Sequence, residues 1–112
     1  MLKNKIKNKI VCKKIKILKS VFSKAIGLMF SKKITETAYV FIFDNPRRID
    51  LHMFFVFYPI DVLFLDKEKK VIEIKENFKP FSFYYSKKKA SYVVELPVGK
   101  AKLCKVDDSL EF

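Results

Sequence analysis

Two carboxylates stand where carboxylates are expensive. Asp61 lies in Ile60-Asp61-Val62-Leu63-Phe64-Leu65, and Glu95 lies in Tyr92-Val93-Val94-Glu95-Leu96-Pro97. Side chains alternate along an extended strand, so Asp61 shares a face with Leu63 and Leu65, while Glu95 points away from Val94 and Leu96. A carboxylate on a greasy face has to be paired, hydrogen-bonded or protonated. Asp61 then has two readings. It contacts a ligand in a cleft, with a raised pKa, or it is a structural residue bonded to backbone amides near Pro59, which is the favoured reading. If Asp61 and Glu95 faced one cleft they would form a pair suited to acid–base hydrolysis. Plain solvent exposure is the simpler reading of Glu95.

Other chemistry finds little support. His52 is the only histidine, and no Gly-x-Ser-x-Gly elbow accompanies it. One His with Cys12 and Cys104 lacks chelating spacing, so no metal or cofactor is expected. Gly27 and Gly99 stand alone and build no phosphate loop, and Met29 and Met53 read as core filler. Arg47-Arg48, after Pro46, could clamp an acidic group bidentately or extend a positive surface. The leading expectation is a non-catalytic binding module. Its cleft, rimmed by His52, Asp61, Arg47 and Glu95, would hold a small polar molecule or a partner segment.

Charge supplies a rival expectation. The chain carries 24 Lys and Arg against 12 Asp and Glu, for a net +12. Residues 1–33 hold eleven lysines and no acid, whereas 34–112 is nearly neutral. Such asymmetry suits nucleic acid or an anionic surface, contacted first through Lys3, Lys5, Lys7, Lys9, Lys13 and Lys14. The duller account is a general Lys/Ile/Phe bias, of a kind seen in heat-adapted proteins. Only two aromatics, Phe22 and Phe30, fall in the basic third, so base-stacking rings and cations are separated along the chain. Lysines interrupt every apolar stretch near the start, and Met53–Ile60 is too short to span a bilayer. The expectation is a cytoplasmic protein with reduced, packed cysteines and no transmembrane segment. A bridge between Cys12 and Cys104 is the minority alternative.

The elements that must position these residues are mainly strands. Residues 1–9 read as a flexible basic arm, and 10–112 as one domain. A strand is expected at 10–18 and a short helix at 20–30, capped by Ser20. Tyr39–Phe43 is apolar on both faces, as in a central strand, and Asp44-Asn45-Pro46 reads as a turn. Further strands are expected at Leu51–Tyr58, Ile60–Leu65, Val71–Lys75, Phe81–Tyr85 and Tyr92–Leu96. Two closing strands are expected at Lys102–Val106 and Leu110–Phe112. Seven or eight short strands at this spacing indicate a single antiparallel β-sandwich or jelly-roll-like domain with one short helix.

Four segments recur in register: Ile26-Gly27-Leu28-Met29-Phe30, Met53, Pro59-Ile60-Asp61-Val62-Leu63-Phe64-Leu65-Asp66 with Pro80, and Tyr92-Val93-Val94-Glu95-Leu96-Pro97-Val98-Gly99. Together they resemble the uncharacterised DUF192 family of small bacterial and archaeal proteins, from about Ile10 to Phe112. The resemblance implies a mainly β domain with a short helix at the Gly-Leu-Met segment, and it implies no activity. Three positions depart from the family pattern: His52 before Met53, Ser31-Lys32-Lys33 after the Gly-Leu-Met segment, and Asp107-Asp108 where relatives carry Gly-Asp.

Overall fold

Ile60–Leu65 is apolar on both faces apart from Asp61, so it needs cover on both sides. In the computed structural model, which describes residues 1–18, 36–52 and 57–112, all six of its residues are buried. The strands are β1 (Leu2–Asn4), β2 (Lys9–Cys12), β3 (Lys14–Leu18), β4 (Thr37–Arg47), β5 (Asp50–His52), β6 (Ile60–Leu65), β7 (Val71–Phe78), β8 (Phe83–Tyr85), β9 (Ala90–Pro97) and β10 (Leu110–Glu111). A 3-10 turn, Lys100–Leu103, follows β9. Among the described residues the strands form a five-stranded sheet, β3-β4-β9-β6-β7, a three-stranded sheet, β10-β1-β2, and a two-stranded ribbon, β5-β8.

The five-stranded sheet is the middle layer. Val40, Leu63, Leu65, Val94 and Leu96 point to one side and pack with Leu2, Val11, Cys12, Cys104 and Leu110. Phe41, Val62, Phe64 and Val93 point to the other side and pack with Ile49, Tyr58 and Phe78, with Tyr84 of β8 against them. The mainly β reading therefore holds. β6 and β9 are central because their sequences are apolar at both parities.

Several local expectations are corrected. Residues 1–9 are not a loose arm, because Leu2 and Asn4 are fully buried in β1, the middle strand of its sheet. The 10–18 strand divides at Lys13, and its halves join different sheets. β3 pairs with β4 in parallel, which departs from an all-antiparallel sandwich. The connection across residues 19–36 is long enough for the crossover that a parallel pair requires. Asp44-Asn45-Pro46 lies within β4, where pairing with β9 lapses between Ile42 and Arg47, as a proline without an N–H favours. Lys102–Val106 is not a strand, since the 3-10 turn occupies its first half. Of Leu51–Tyr58, the start is in β5, and residues 53–56 lie outside the described residues, as does the expected 20–30 helix.

Asn4 ties the start of the chain to its end. Its Nδ2 donates to the Leu103 carbonyl and to Asp108 Oδ2, each at 2.9 Å. Its Oδ1 accepts from the Ile6 and Lys7 amides at 3.0 and 3.2 Å. Burial pushes the Asp108 carboxyl upward, but the Asn4 amide, the Lys105 N–H and the charges of Lys7 and Lys105 outweigh it, and the net shift is downward. A carboxyl lowered on folding stabilises above its ordinary pKa, and that stability is lost as pH falls through the lowered value. Asn4→Ala is expected to lower folding stability by roughly 2–3 kcal/mol near neutral pH, by stranding several buried partners. It should also weaken the acid sensitivity, and urea titrations at neutral and acid pH read both effects.

Candidate functional site

Among the described residues four carboxylates are buried: Asp61, Glu73, Glu95 and Asp108. Asp61 is 1 % exposed and serves the backbone. Its Oδ1 accepts from the Asn77 amide at 2.9 Å, and its Oδ2 accepts from the Gly99 and Ala101 amides at 2.8 and 3.0 Å. The geometry has a local cause. In the β6–β7 ladder Ile60 faces Phe78 and Val62 faces Lys75, so two residues of β7 oppose Asp61. That is a β-bulge, and its displaced N–H needs an acceptor. Asn77 and Gly99 both have left-handed backbones, at φ 49° and 96°, which asparagine and glycine tolerate best. One carboxylate thus fixes a bulge and the turn after β9. The structural reading of Asp61 is the one found, with partners at 77, 99 and 101 and not beside Pro59.

Glu73 does the same for the segment after β8. Lys87 donates its amide to Oε1 and Oε2 at 2.9 and 3.0 Å, and Lys88 donates to Oε1 at 3.0 Å. The Tyr84 hydroxyl donates to Oε2. Burial, reinforced by that hydrogen bond, pushes the Tyr84 phenol up to about 12.

Glu95 is different. No described residue donates a hydrogen bond to it, and burial pushes its carboxyl up to about 8. Residues directly opposite in a ladder share a face. The registers therefore align Lys16 of β3, Tyr39 of β4, Glu95 of β9, Val62 of β6 and Lys75 of β7 in one row. Glu95 sits at the row's centre, on the side that carries Phe41, Val93 and Phe64. Lys16 Nζ is 5.8 Å from the centroid of the Tyr39 ring.

Among the described residues the strand registers do not gather Asp61, Glu95, Arg47 and His52 in one place. Asp61 faces Leu96 across the β6–β9 ladder and Glu95 faces Val62, so the two carboxylates leave opposite faces of the sheet. They make no acid–base pair. Arg47 pairs with Ala90, five residues from Glu95 along β9, or about 17 Å at strand rise. His52 belongs to β5, in the separate ribbon.

The early lysines are spread over two sheets. Lys3 is in β1, Lys5 and Lys7 are in the turn after it, Lys9 opens β2, and Lys13 and Lys14 lead into β3. Lys7 Nζ is 3.8 Å from Asp108 Oδ2, and Lys13 Nζ is 3.7 Å from Glu36 Oε1. A cavity of about 160 Å³ opens beside that second pair, lined by Ile10, Val11, Cys12, Lys13, Glu36 and Lys100. Burial raises the Cys12 thiol to about 11, and the same cause raises Cys104 to about 11. Both are free and buried, so near neutral pH they are protonated and poor nucleophiles. Asn4 and Glu73 were not among the residues singled out from the sequence. The alternation Ile72-Glu73-Ile74 was the available signal for the second.

The fold and sequence can be compared with known proteins. A family model for DUF192, described as an uncharacterized ACR, matches residues 2–112. A UPF0127 protein of Thermococcus sibiricus is 39% identical over 101 residues, covering 88% of this chain and 64% of its own length. A UPF0127 protein of Pyrococcus abyssi is 34% identical over 94 residues, covering 84% of this chain and 80% of its own. Thus the chain spans less than two thirds of the Thermococcus sibiricus relative. Among solved structures, one from Sinorhizobium meliloti, provisionally described as a transcription regulator, superposes with TM-score 0.81 at 25% identity, covering 87% of this chain and 79% of that one. Another, a protein of unknown function from Novosphingobium aromaticivorans, gives TM-score 0.81 at 22% identity, covering 88% and 74%. Among the described residues no helix is long and apolar enough to cross a membrane.

Proposed function

The chain belongs to the DUF192 family of uncharacterised proteins, and from its own buried carboxylates we propose that it is a non-catalytic binding domain. Its ligand is a small polar molecule held against the Glu95 face of the five-stranded sheet. One observation carries this reading: three of the four buried carboxylates accept from backbone amides, while no described residue donates a hydrogen bond to Glu95. Near pH 7 Glu95 keeps its proton and can donate one hydrogen bond. Tyr39, Phe41 and Val93 lie on the same side as Glu95, within or against the buried apolar cluster. A compact neutral ligand with an aromatic body and a carbonyl acceptor matches that surface. Benzamide and nicotinamide are suitable probes, followed by amide chemical shifts of labelled protein. Shifts should cluster at Tyr39, Val62, Val93 and Glu95, survive in Glu95→Gln and vanish in Glu95→Ala. Saturating probe that leaves those four positions unmoved would overturn the assignment.

A second reading is electrostatic binding to nucleic acid through the early lysines. It is supported by the exposure of Lys5, Lys9 and Lys14 and by the provisional description of one structural neighbour. Removing residues 1–9 does not test it, because β1 belongs to the fold. A Lys5/Lys9/Lys14→Ala triple variant does, and it should flatten the salt dependence of retention on nucleic acid. An unchanged salt slope removes this reading.

A further inference from the structure

The β5–β8 ribbon carries an aromatic surface that neither reading uses. In β8, Tyr84 turns inward onto Phe64 and Phe78, with ring centroids 5.8 and 6.3 Å away. Alternation then drives Phe83 and Tyr85 outward, and they are 70 and 50 % exposed. Just before them Phe81, 51 % exposed, meets Phe57, 64 % exposed, edge-on at 5.5 Å. Phe81 holds its position at φ 59°, in the left-handed region where a bulky side chain is rarely found. Four large aromatic side chains exposed on adjoining segments make a patch of the kind that marks an interaction surface.

Cations are interleaved with these rings. The Arg48 guanidinium lies 4.1 Å from the Tyr85 ring centroid, and its Nε donates to the Ser86 carbonyl at 2.9 Å. Arg48 is therefore held in place by two contacts, with further N–H donors on its planar fork. Lys79, Lys87, Lys88, Lys89 and Arg47 are exposed on the same and adjoining segments, against the exposed acids Asp44, Asp50 and Glu76. Rings at alternate positions of an exposed strand, flanked by fixed guanidinium and flexible ammonium groups, suit one polyanion whose units have flat faces. We propose that the outer face of β8, with Phe83, Tyr85 and Arg48 at its centre, binds single-stranded nucleic acid by stacking bases on the rings and pairing phosphates with the cations. A duplex hides its base faces and offers the rings nothing to stack on.

The test is fluorescence anisotropy of a labelled oligothymidylate of about 12 nucleotides, with an oligouridylate and a duplex of equal length in parallel. The single strands should bind more tightly than the duplex. Phe83→Ala and Tyr85→Ala should each weaken single-strand binding by about tenfold, with the salt slope and the thermal midpoint unchanged. Arg48→Ala should weaken binding and reduce the salt slope. Four results would each overturn the proposal. Three of them are absence of binding at low salt, equal binding of duplex and single strand, and a loss that follows only the Lys5/Lys9/Lys14→Ala variant. The fourth is that Phe83→Ala abolishes self-association or retention on phosphatidylglycerol vesicles while oligonucleotide binding is absent. The Glu95 reading survives any of these, because its probes and variants are separate.

Discussion

Asp61→Ala is expected to lower folding stability by on the order of 4 kcal/mol or more, in the absence of any ligand. The substitution strands three backbone N–H groups, those of Asn77, Gly99 and Ala101. Each buried donor left without an acceptor costs about 1–3 kcal/mol. Domains of this kind are stable by only about 5–15 kcal/mol, so the variant should sit near its unfolding midpoint at low urea. Asp61→Asn should fall between the two, because one oxygen still accepts while the new NH₂ confronts a donor. Equilibrium urea unfolding measures the effect. A midpoint within experimental error of wild type in Asp61→Ala would remove the clamp and return Asp61 to the list of ligand contacts.

Glu95→Gln is expected to act in the opposite direction, with an advantage that grows as pH rises from 4.5 to about 8. The Glu95 carboxyl rises from 4.5 to about 8 because burial disfavours its charged form. Folded protein therefore holds a proton that the unfolded chain has released between those two values. Stability falls as pH rises across that window and levels off above it. A glutamine keeps the shape and hydrogen-bonding capacity without the titration, so its curve should be flatter from pH 4.5 to 8. At pH 8 and above the variant should exceed wild type by on the order of a few kcal/mol, and near pH 4.5 the two should coincide. Lys16, Tyr39 and Lys75, the other polar residues of the same row, are present in both proteins and cancel in the comparison. Parallel pH profiles for the two proteins would show that Glu95 is ionised in the folded state.

The buried strand β6 was legible because Ile60–Leu65, apart from Asp61, is apolar at both parities between Pro59 and Asp66. The same local pattern showed that Asp61 lies among core residues and that Glu95 turns away from Val94 and Leu96. It could not show that the two leave opposite faces, because that depends on Asp61 pairing with Leu96, and register is a long-range property. The partners of Asp61 were hidden for the same reason, since they come from a bulge and a turn far along the chain. β1 was misread because Leu2 and Asn4 are two informative residues in a lysine background, and their burial depends on Leu103, Asp108 and β10 at the other end. The alternation of Phe83 and Tyr85 with Tyr84 was visible, but which parity meets water is decided by Phe64 and Phe78. The parallel pairing of β3 with β4 needed the path through 19–36, where local residue pattern carries no instruction about direction.

Among the described residues, Asp61, Glu73 and Asp108 accept from backbone amides and none donates a hydrogen bond to Glu95, whose carboxyl burial pushes up to about 8. The most direct test is a side-chain carboxyl titration of carbon-13-labelled protein, with the Glu95 resonance assigned by its loss in Glu95→Gln. That resonance is expected to titrate near 8 in the folded state. A midpoint near the ordinary glutamate value would contradict it, placing an ionised Glu95 in the fold and withdrawing the hydrogen-bond donor on which the proposed ligand site depends.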